Sequence, residues 1–156
     1  HLEAYGIKVK ESEIEDVITD TLEKYKPDIV VITGHDFLKK HAKDKSKIEN
    51  YQNSENFVNA IKKARMYEKN QDKLIIIAGA CQSNYEELIK AGSNFASSPK
   101  RINIHALDPA IVASCVALSP VNKAIDLIPL IDKTHYGSAG MGGIITNGTM
   151  YVGYPR

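Results

Sequence analysis

The sequence predicts an α/β fold: a mainly parallel sheet with helices on both faces, plus a C-terminal β-hairpin. Two short, continuous apolar runs, 28–33 (D-I-V-V-I-T) and 73–78 (K-L-I-I-I-A), read as strands buried on both faces. Around them, apolar residues recur at helical spacing, so strand and helix alternate along the chain. With 156 residues, 43% of them hydrophobic, the chain is long enough for one domain with its own core. A single domain over 1–156 is expected.

Each element has a local reason. Residues 4–9 (A-Y-G-I-K-V) read as an opening strand. Ser12 followed by Glu15 is a capping-box pattern, and Ile14, Val17, Ile18, Thr21, Leu22 and Tyr25 follow at helical spacing. Pro27 ends that helix, because the residue before proline leaves the helical region. Asn53 or Ser54 caps a second helix, which carries Phe57, Val58, Ile61, Ala64 and Met66 or Tyr67. Residues 84–91 form a third, closed by Gly92 in the C′ position. Short strands are expected at 95–96 and 102–104. Asp108-Pro109 starts a further helix, cap followed by proline at N1, running to about Leu118. Residues 122–132 read as helical and broken near Pro129. Residues 143–146 and 149–152, joined by Asn147-Gly148, read as a hairpin with a type I′ turn. Residues 137–143 (G-S-A-G-M-G-G) lack the Lys-Ser/Thr of a phosphate loop and read as a flexible loop or a flap over substrate.

Composition excludes several classes. The formal net charge is +1, which disfavours a nucleic-acid binder working by bulk charge. No apolar run is long enough for a membrane span. Two cysteines do not make a disulfide framework, and a reducing compartment with free thiols is expected. The histidines show no metal-ligand spacing, so no metal site and no cofactor are predicted. Charge is nonetheless uneven: residues 1–28 are net acidic and 39–73 net basic. Lys39, Lys40, Lys43, Lys45 and Lys47 form a solvated loop or a docking patch for an acidic partner. The chain starts without methionine, and a fragment of a longer protein is expected.

In parallel α/β sheets, chemistry sits beyond the carboxyl ends of the strands. There the first buried run leads into Gly34-His35-Asp36, and the second into Gly79-Ala80-Cys81-Gln82-Ser83. If the two strands are neighbours, His35 and Cys81 emerge at the same edge. A thiol attacks as thiolate, and an adjacent imidazole accepts its proton or stabilises the anion. The helix after Cys81 places its positive end near the sulfur. Cys115, within V-A-S-C-V-A-L, reads as a core residue instead. His105 reads either as buried and hydrogen-bonded or as lining the pocket. His41 and His135 look like loop or helix-end residues.

A strand ending in His and a later strand ending in Ala-Cys resemble the caspase-like peptidases. Here V-V-I-T-G-H-D (30–36) and I-I-I-A-G-A-C (75–81) carry the likeness. Asp36 replaces the usual glycine after His, and Gly79 the usual acid or glutamine two before Cys. The strings I-T-G-H-D (32–36), A-G-A-C-Q-S (78–83), I-K-A-G-S-N-F-A-S-S-P (89–99), R-I-N-I-H-A-L-D-P (101–109) and G-M-G-G-I (140–144) resemble the YabG family of sporulation-specific peptidases from spore-forming Firmicutes. That family also carries an N-terminal region.

The resemblance implies a cysteine endopeptidase that processes spore coat and related spore proteins after Arg, and processes itself. It implies protein substrates as partners and a location in the sporulating cell's cytoplasm and the spore coat. Cys81 would be the nucleophile and His35 the general base or acid. Backbone N–H groups at Cys81 and near Asp36 would hold the oxyanion, with Gly34 and Ala80 shaping the pocket and Gln82 and Ser83 forming its floor or capping the helix after Cys81. Arg preference needs a carboxylate, for which Asp108 and Asp36 are the candidates. Asp108 also reads simply as the cap before Pro109.

Two rival readings come from other classes. Residues 79–83 resemble a nucleophile elbow, as in glutamine-amidotransferase-like hydrolases. There the catalytic His follows the Cys, which would promote His105 or His135. Alternatively the chain is a non-catalytic α/β binding module with Cys81 simply packed.

Overall fold

The computed structural model describes residues 2–151 and the backbone of residues 154–155. The chain order is α1 (Ile14–Tyr25), β1 (Ile29–Ile32), α2 (Ser54–Tyr67), β2 (Ile75–Ala78), α3 (Tyr85–Ala91), β3 (Phe95–Ala96), α4 (Asp108–Ala117), α5 (Leu127–Ile131), β4 (Gly142–Gly143), β5 (Met150–Tyr151) and β6 (Tyr154–Pro155). The main sheet runs β1-β2-β3-β4. The first three strands are parallel, and β4 is antiparallel to β3. The α/β class with a mostly parallel sheet is therefore as expected.

Strand β2 divides the interior. Alternate side chains of a strand point to opposite faces. Ile76 and Ala78 join α1, α2 and α3 residues such as Leu22, Phe57, Ile61 and Leu88 in one core. Ile75 and Ile77 join Phe95, Val112, Val116, Leu130, Ile131 and Met141 in the other. All four β2 residues are buried. Burying each isoleucine contributes about 1.5–3 kcal/mol relative to exposure.

The helix signals hold where they are local. Lys26, ahead of Pro27, takes a left-handed conformation and closes α1. Asn84 caps α3, its side chain accepting from the Glu87 N–H, and Gly92 ends it at φ 122°. Arg65 on α2 ties this end of the sheet together. Its guanidinium donates to the carbonyls of Gly92 and Leu74 and to the Asn94 side chain.

Other expectations are corrected. Residues 4–9 form no strand; they lie along α1, with the Tyr5 and Tyr25 rings 4.4 Å apart. Ser12 sits inside a 3-10 turn (Glu11–Glu13), and α1 starts without a side-chain cap. Strand β1 is not buried on both faces: it is the sheet edge, and Val31 is 39% exposed. Residues 102–104 make no strand, because the Ile102 carbonyl turns to the Gln82 N–H. Only Leu127–Ile131 of the 122–132 segment is helical, with Pro129 inside it.

The Asn147-Gly148 hairpin does not form. Instead the backbone of 146–150 bonds alongside 116–125, through Ile125 N–H to Thr146 O and Met150 N–H to Ser119 O among others. The C-terminal antiparallel pair is β5 with β6, further along the chain; Val152 lies outside the described residues. The glycine-rich 137–143 stretch is likewise no free loop. It makes a 3-10 turn (Gly137–Ala139), buries Met141 and adds β4 to the sheet.

Candidate active site

Strands β1 and β2 pair in parallel, with Ile32 opposite Ala78. Three residues beyond each partner stand His35 and Cys81. The two strand ends are bonded together: the Gly79 N–H donates to Ile32 O at 2.9 Å, and the Thr33 hydroxyl donates to Gly79 O at 2.9 Å. Gly79 has φ 109°, and a Cβ there would lie 2.5 Å from Ser97 Oγ. Only glycine allows the sharp exit from β2 that aims the next residues off the sheet.

The turn after Gly79 is fastened from within. The Ala80 N–H donates to the buried Ser83 hydroxyl at 2.9 Å. Gln82, at φ 56°, spans the site. Its N–H donates to Ile102 O, its side-chain oxygen accepts from the Leu38 N–H, and its amide donates to Asn103. The sequence-predicted pocket residues Ala80, Gln82 and Ser83 thus build the turn that carries Cys81. The Cys81 thiol is half-buried and donates to Ile104 O at 3.7 Å.

The β1 side is equally anchored at the backbone. The His35 N–H donates to Glu11 Oε1 at 2.8 Å, and the Asn53 amide donates to His35 O at 2.8 Å. The ring is open to solvent, with Nδ1 3.1 Å from the same Glu11 oxygen. Burial pushes the Glu11 carboxyl up, but its own N–H and the two groups of His35 outweigh that and hold it below its ordinary value. Thiol and imidazole leave the same sheet edge, yet each is bonded elsewhere: among the described residues, no hydrogen bond joins Cys81 to His35.

Asp36 is buried and serves the scaffold. It accepts from the N–H groups of Phe37 and Asn53 and from the Ser54 hydroxyl. It therefore caps the start of α2, where negative charge is favoured. Ser54 in turn accepts from the Asn84 N–H, linking this loop to the start of α3.

Asp108 is also fully buried, but not as a cap: no side chain caps α4. Its carboxylate accepts from the His105 N–H, the His135 N–H and His135 Nδ1, the last at 2.8 Å. An Arg-reading role for either aspartate requires these bonds to open.

The His105–Asp108–His135 group escaped sequence reading. The two rings stack 3.8 Å apart, tilted by only 10°. His105 is exposed rather than buried. The ligand atoms of the three residues lie within 4.8 Å of one another, so they are close enough to share a cation. The chemistry fits a metal poorly. An imidazole binds a metal in its ring plane, and two parallel stacked rings have no common in-plane point. His105 Nδ1 also faces the Leu107 N–H. The His-x-x-Asp spacing of 105 and 108 is the only sequence signal for the group.

The remaining expectations can be placed. Cys115 is partly buried and packs on the α4–α5 core. The five lysines of residues 39–47 are exposed. Among the described residues, no helix is long and apolar enough to cross a membrane. Arg101, which the sequence did not single out, joins Ser98, Pro99, Asn84, Glu86 and Tyr51.

Comparison with known proteins gives one family. The family model described as YabG peptidase U57 matches residues 1–155. The sporulation-specific protease YabG of Bacillus subtilis (strain 168) is 42% identical over 151 residues, covering 97% of this chain and 52% of that protein. The chain thus spans about half the length of this curated relative. No solved structure matches it.

Proposed function

The chain belongs to the YabG peptidase family U57, and from that premise we propose that it is a cysteine endopeptidase using Cys81 as nucleophile and His35 as general base and acid. The observation that carries this reading is the register of β1 and β2. Ile32 pairs with Ala78, and the Thr33–Gly79 bond joins the strand ends, so His35 and Cys81 each follow three residues after paired positions.

In this mechanism the Cys81 thiol gives its proton to His35 Nε2 and attacks the scissile carbonyl carbon. Backbone N–H groups at Cys81 and near Asp36 hold the oxyanion. The imidazolium then protonates the leaving amine, and water hydrolyses the thioester with His35 as base. For the first step the Cys81 thiol gives up its bond to Ile104 O and meets Nε2 of the exposed ring. The substrates on this reading are spore coat and related spore proteins, cut after Arg in the sporulating cell and spore coat, with self-processing.

The test is cleavage of an Arg-containing peptide by the full-length protein and by Cys81→Ala and His35→Ala. Both variants should lose at least about 10³-fold in kcat/KM. Iodoacetamide should label Cys81 quickly near neutral pH and Cys115 slowly. Equal, sluggish labelling of both thiols would favour a non-catalytic binding module.

One observation favours a second reading. The Cys81 thiol touches Ile104 O, next to His105, whose ring stacks on His135, and His135 Nδ1 rests on buried Asp108. A Cys–His–Asp hydrolase of the amidotransferase-like kind would use this set. Full activity in His35→Ala with loss in His105→Ala or His135→Ala would establish it over the Cys81–His35 dyad.

A further inference from the structure

We propose that Glu11 is the positioning residue for His35: its carboxylate fixes the imidazole with Nδ1 protonated and Nε2 free to take the thiol proton, and stabilises the imidazolium that forms. This rests on the Cys81–His35 reading given above.

Three observations carry it. First, one Glu11 oxygen accepts from both the backbone and the ring of His35, at 2.8 and 3.1 Å, across 24 residues of sequence. A surface ion pair formed by chance has no reason to hold the backbone as well. Second, the approach is built in at Gly34. A Cβ on residue 34 would lie 2.6 Å from Glu11 Oε1 and 2.9 Å from its Cγ, so the site needs glycine there for Glu11 to cross. Third, Glu11 is the less exposed partner, 23% against 97% for His35, and lies on the 3-10 turn that leads into α1. The carboxylate is held by the fold and the ring comes to it.

The chemistry follows from which nitrogen is occupied. A carboxylate can only accept, so the ring places its proton on Nδ1 and leaves the electron pair on Nε2. When Cys81 transfers its proton to Nε2, the ring becomes a cation beside a carboxylate, which favours that state. The Nδ1 proton stays on the ring throughout, and the Nε2 proton later passes to the leaving amine. The other charged groups lining this recess are Lys8, Lys10 and Glu13.

The experiment measures peptide cleavage and iodoacetamide labelling of Cys81 near neutral pH, in full-length wild type, Glu11→Gln, Glu11→Ala, Gly34→Ala and His35→Ala. Glu11→Gln should lose about tenfold in kcat, and Glu11→Ala about 10²-fold, with KM within about twofold. A loss confined to kcat, graded so that Glu11→Gln, which keeps an acceptor oxygen, retains more than Glu11→Ala, marks positioning of the ring and not binding. Labelling of Cys81 should slow in the same order. Gly34→Ala should reproduce the Glu11→Ala loss in kcat with Glu11 intact.

Thermal melting separates a folding defect from this effect. Loss of activity matched by loss of folded protein, with kcat of the folded fraction unchanged, overturns the proposal and leaves Glu11 structural. So does full activity in Glu11→Ala while His35→Ala is dead, which leaves the dyad standing. Full activity in His35→Ala overturns the dyad, and the role of Glu11 with it.

Discussion

The Thr33 hydroxyl donates to the Gly79 carbonyl at 2.9 Å, joining the exits of two parallel strands. This bond lies two residues before His35 and two before Cys81. It sets the spacing of the two loops at their base, and the Leu38–Gln82 bond joins them again beyond His35 and Cys81.

Thr33→Val keeps the β-branched shape and removes the donor. A net hydrogen bond is worth about 0.5–1.5 kcal/mol, so stability should fall by about 1 kcal/mol. Activity should fall further, by about tenfold in kcat, since small misplacements of reacting groups are costly. Urea unfolding and steady-state kinetics check both. Activity within twofold of wild type would show that the bond does not govern the site.

Gly79→Ala forces a side chain into φ 109°, against Ser97 Oγ and Leu88 Cδ1. Strain and overpacking together should cost about 2–4 kcal/mol. For a domain of this size that lowers Tm by roughly 4–16 °C, measured by circular dichroism. An unchanged Tm would mean the turn relaxes freely.

Asp108→Ala strands three donors, from the His105 backbone, the His135 backbone and the His135 ring. Removing a buried acceptor of this kind should destabilise by about 2–4 kcal/mol. Under the Cys81–His35 mechanism, the folded fraction of Asp108→Asn keeps wild-type kcat. A dead but well-folded Asp108→Asn would instead support the His105–His135 set.

The Glu11 carboxyl is held below its ordinary value of 4.5, so its linkage to folding has a definite sign. A carboxyl depressed in the folded state contributes stability above its unfolded pKa. That contribution is lost as pH falls from 4.5 through the lower folded value. Urea midpoints taken down this range should fall less steeply in Glu11→Gln than in wild type. Parallel curves would mean that His35 does not stabilise the ionised carboxylate.

How much of this could be read from the sequence follows from the range of each interaction. The helix over 54–67 and the Gly92 stop were legible because period and cap chemistry are local; the cap of α3 is Asn84, one residue beyond Ser83, which the sequence offered for it. The run at 75–78 was legible because a central strand is apolar on both faces. The 29–32 run looked the same, yet β1 lies at the edge; a short apolar run does not record its neighbours. Asn147-Gly148 carried a strong turn signal, and pairing with residues 116–125 overrode it.

At the site, the positions of His35 and Cys81 at one sheet edge followed from strand grammar. Their supporting groups did not. Glu11 looks like any other acid in an acidic segment, and nothing near it in sequence points to His35. His135 and Asp108 are 27 residues apart, and only the packing of α5 and the following loop against α4 brings them together.

The alternation along β2 makes sequence neighbours thermodynamic strangers. Ile76 and Ile77 share a peptide bond but no packing partner, because one faces the α1–α3 side and the other the α4–α5 side. Truncating each to alanine should cost about 2–5 kcal/mol. In a double-mutant cycle the two losses should add with little coupling energy. Cavities opened on one side of this wall leave the other side's fit intact, so variation can be absorbed by one half of the interior at a time.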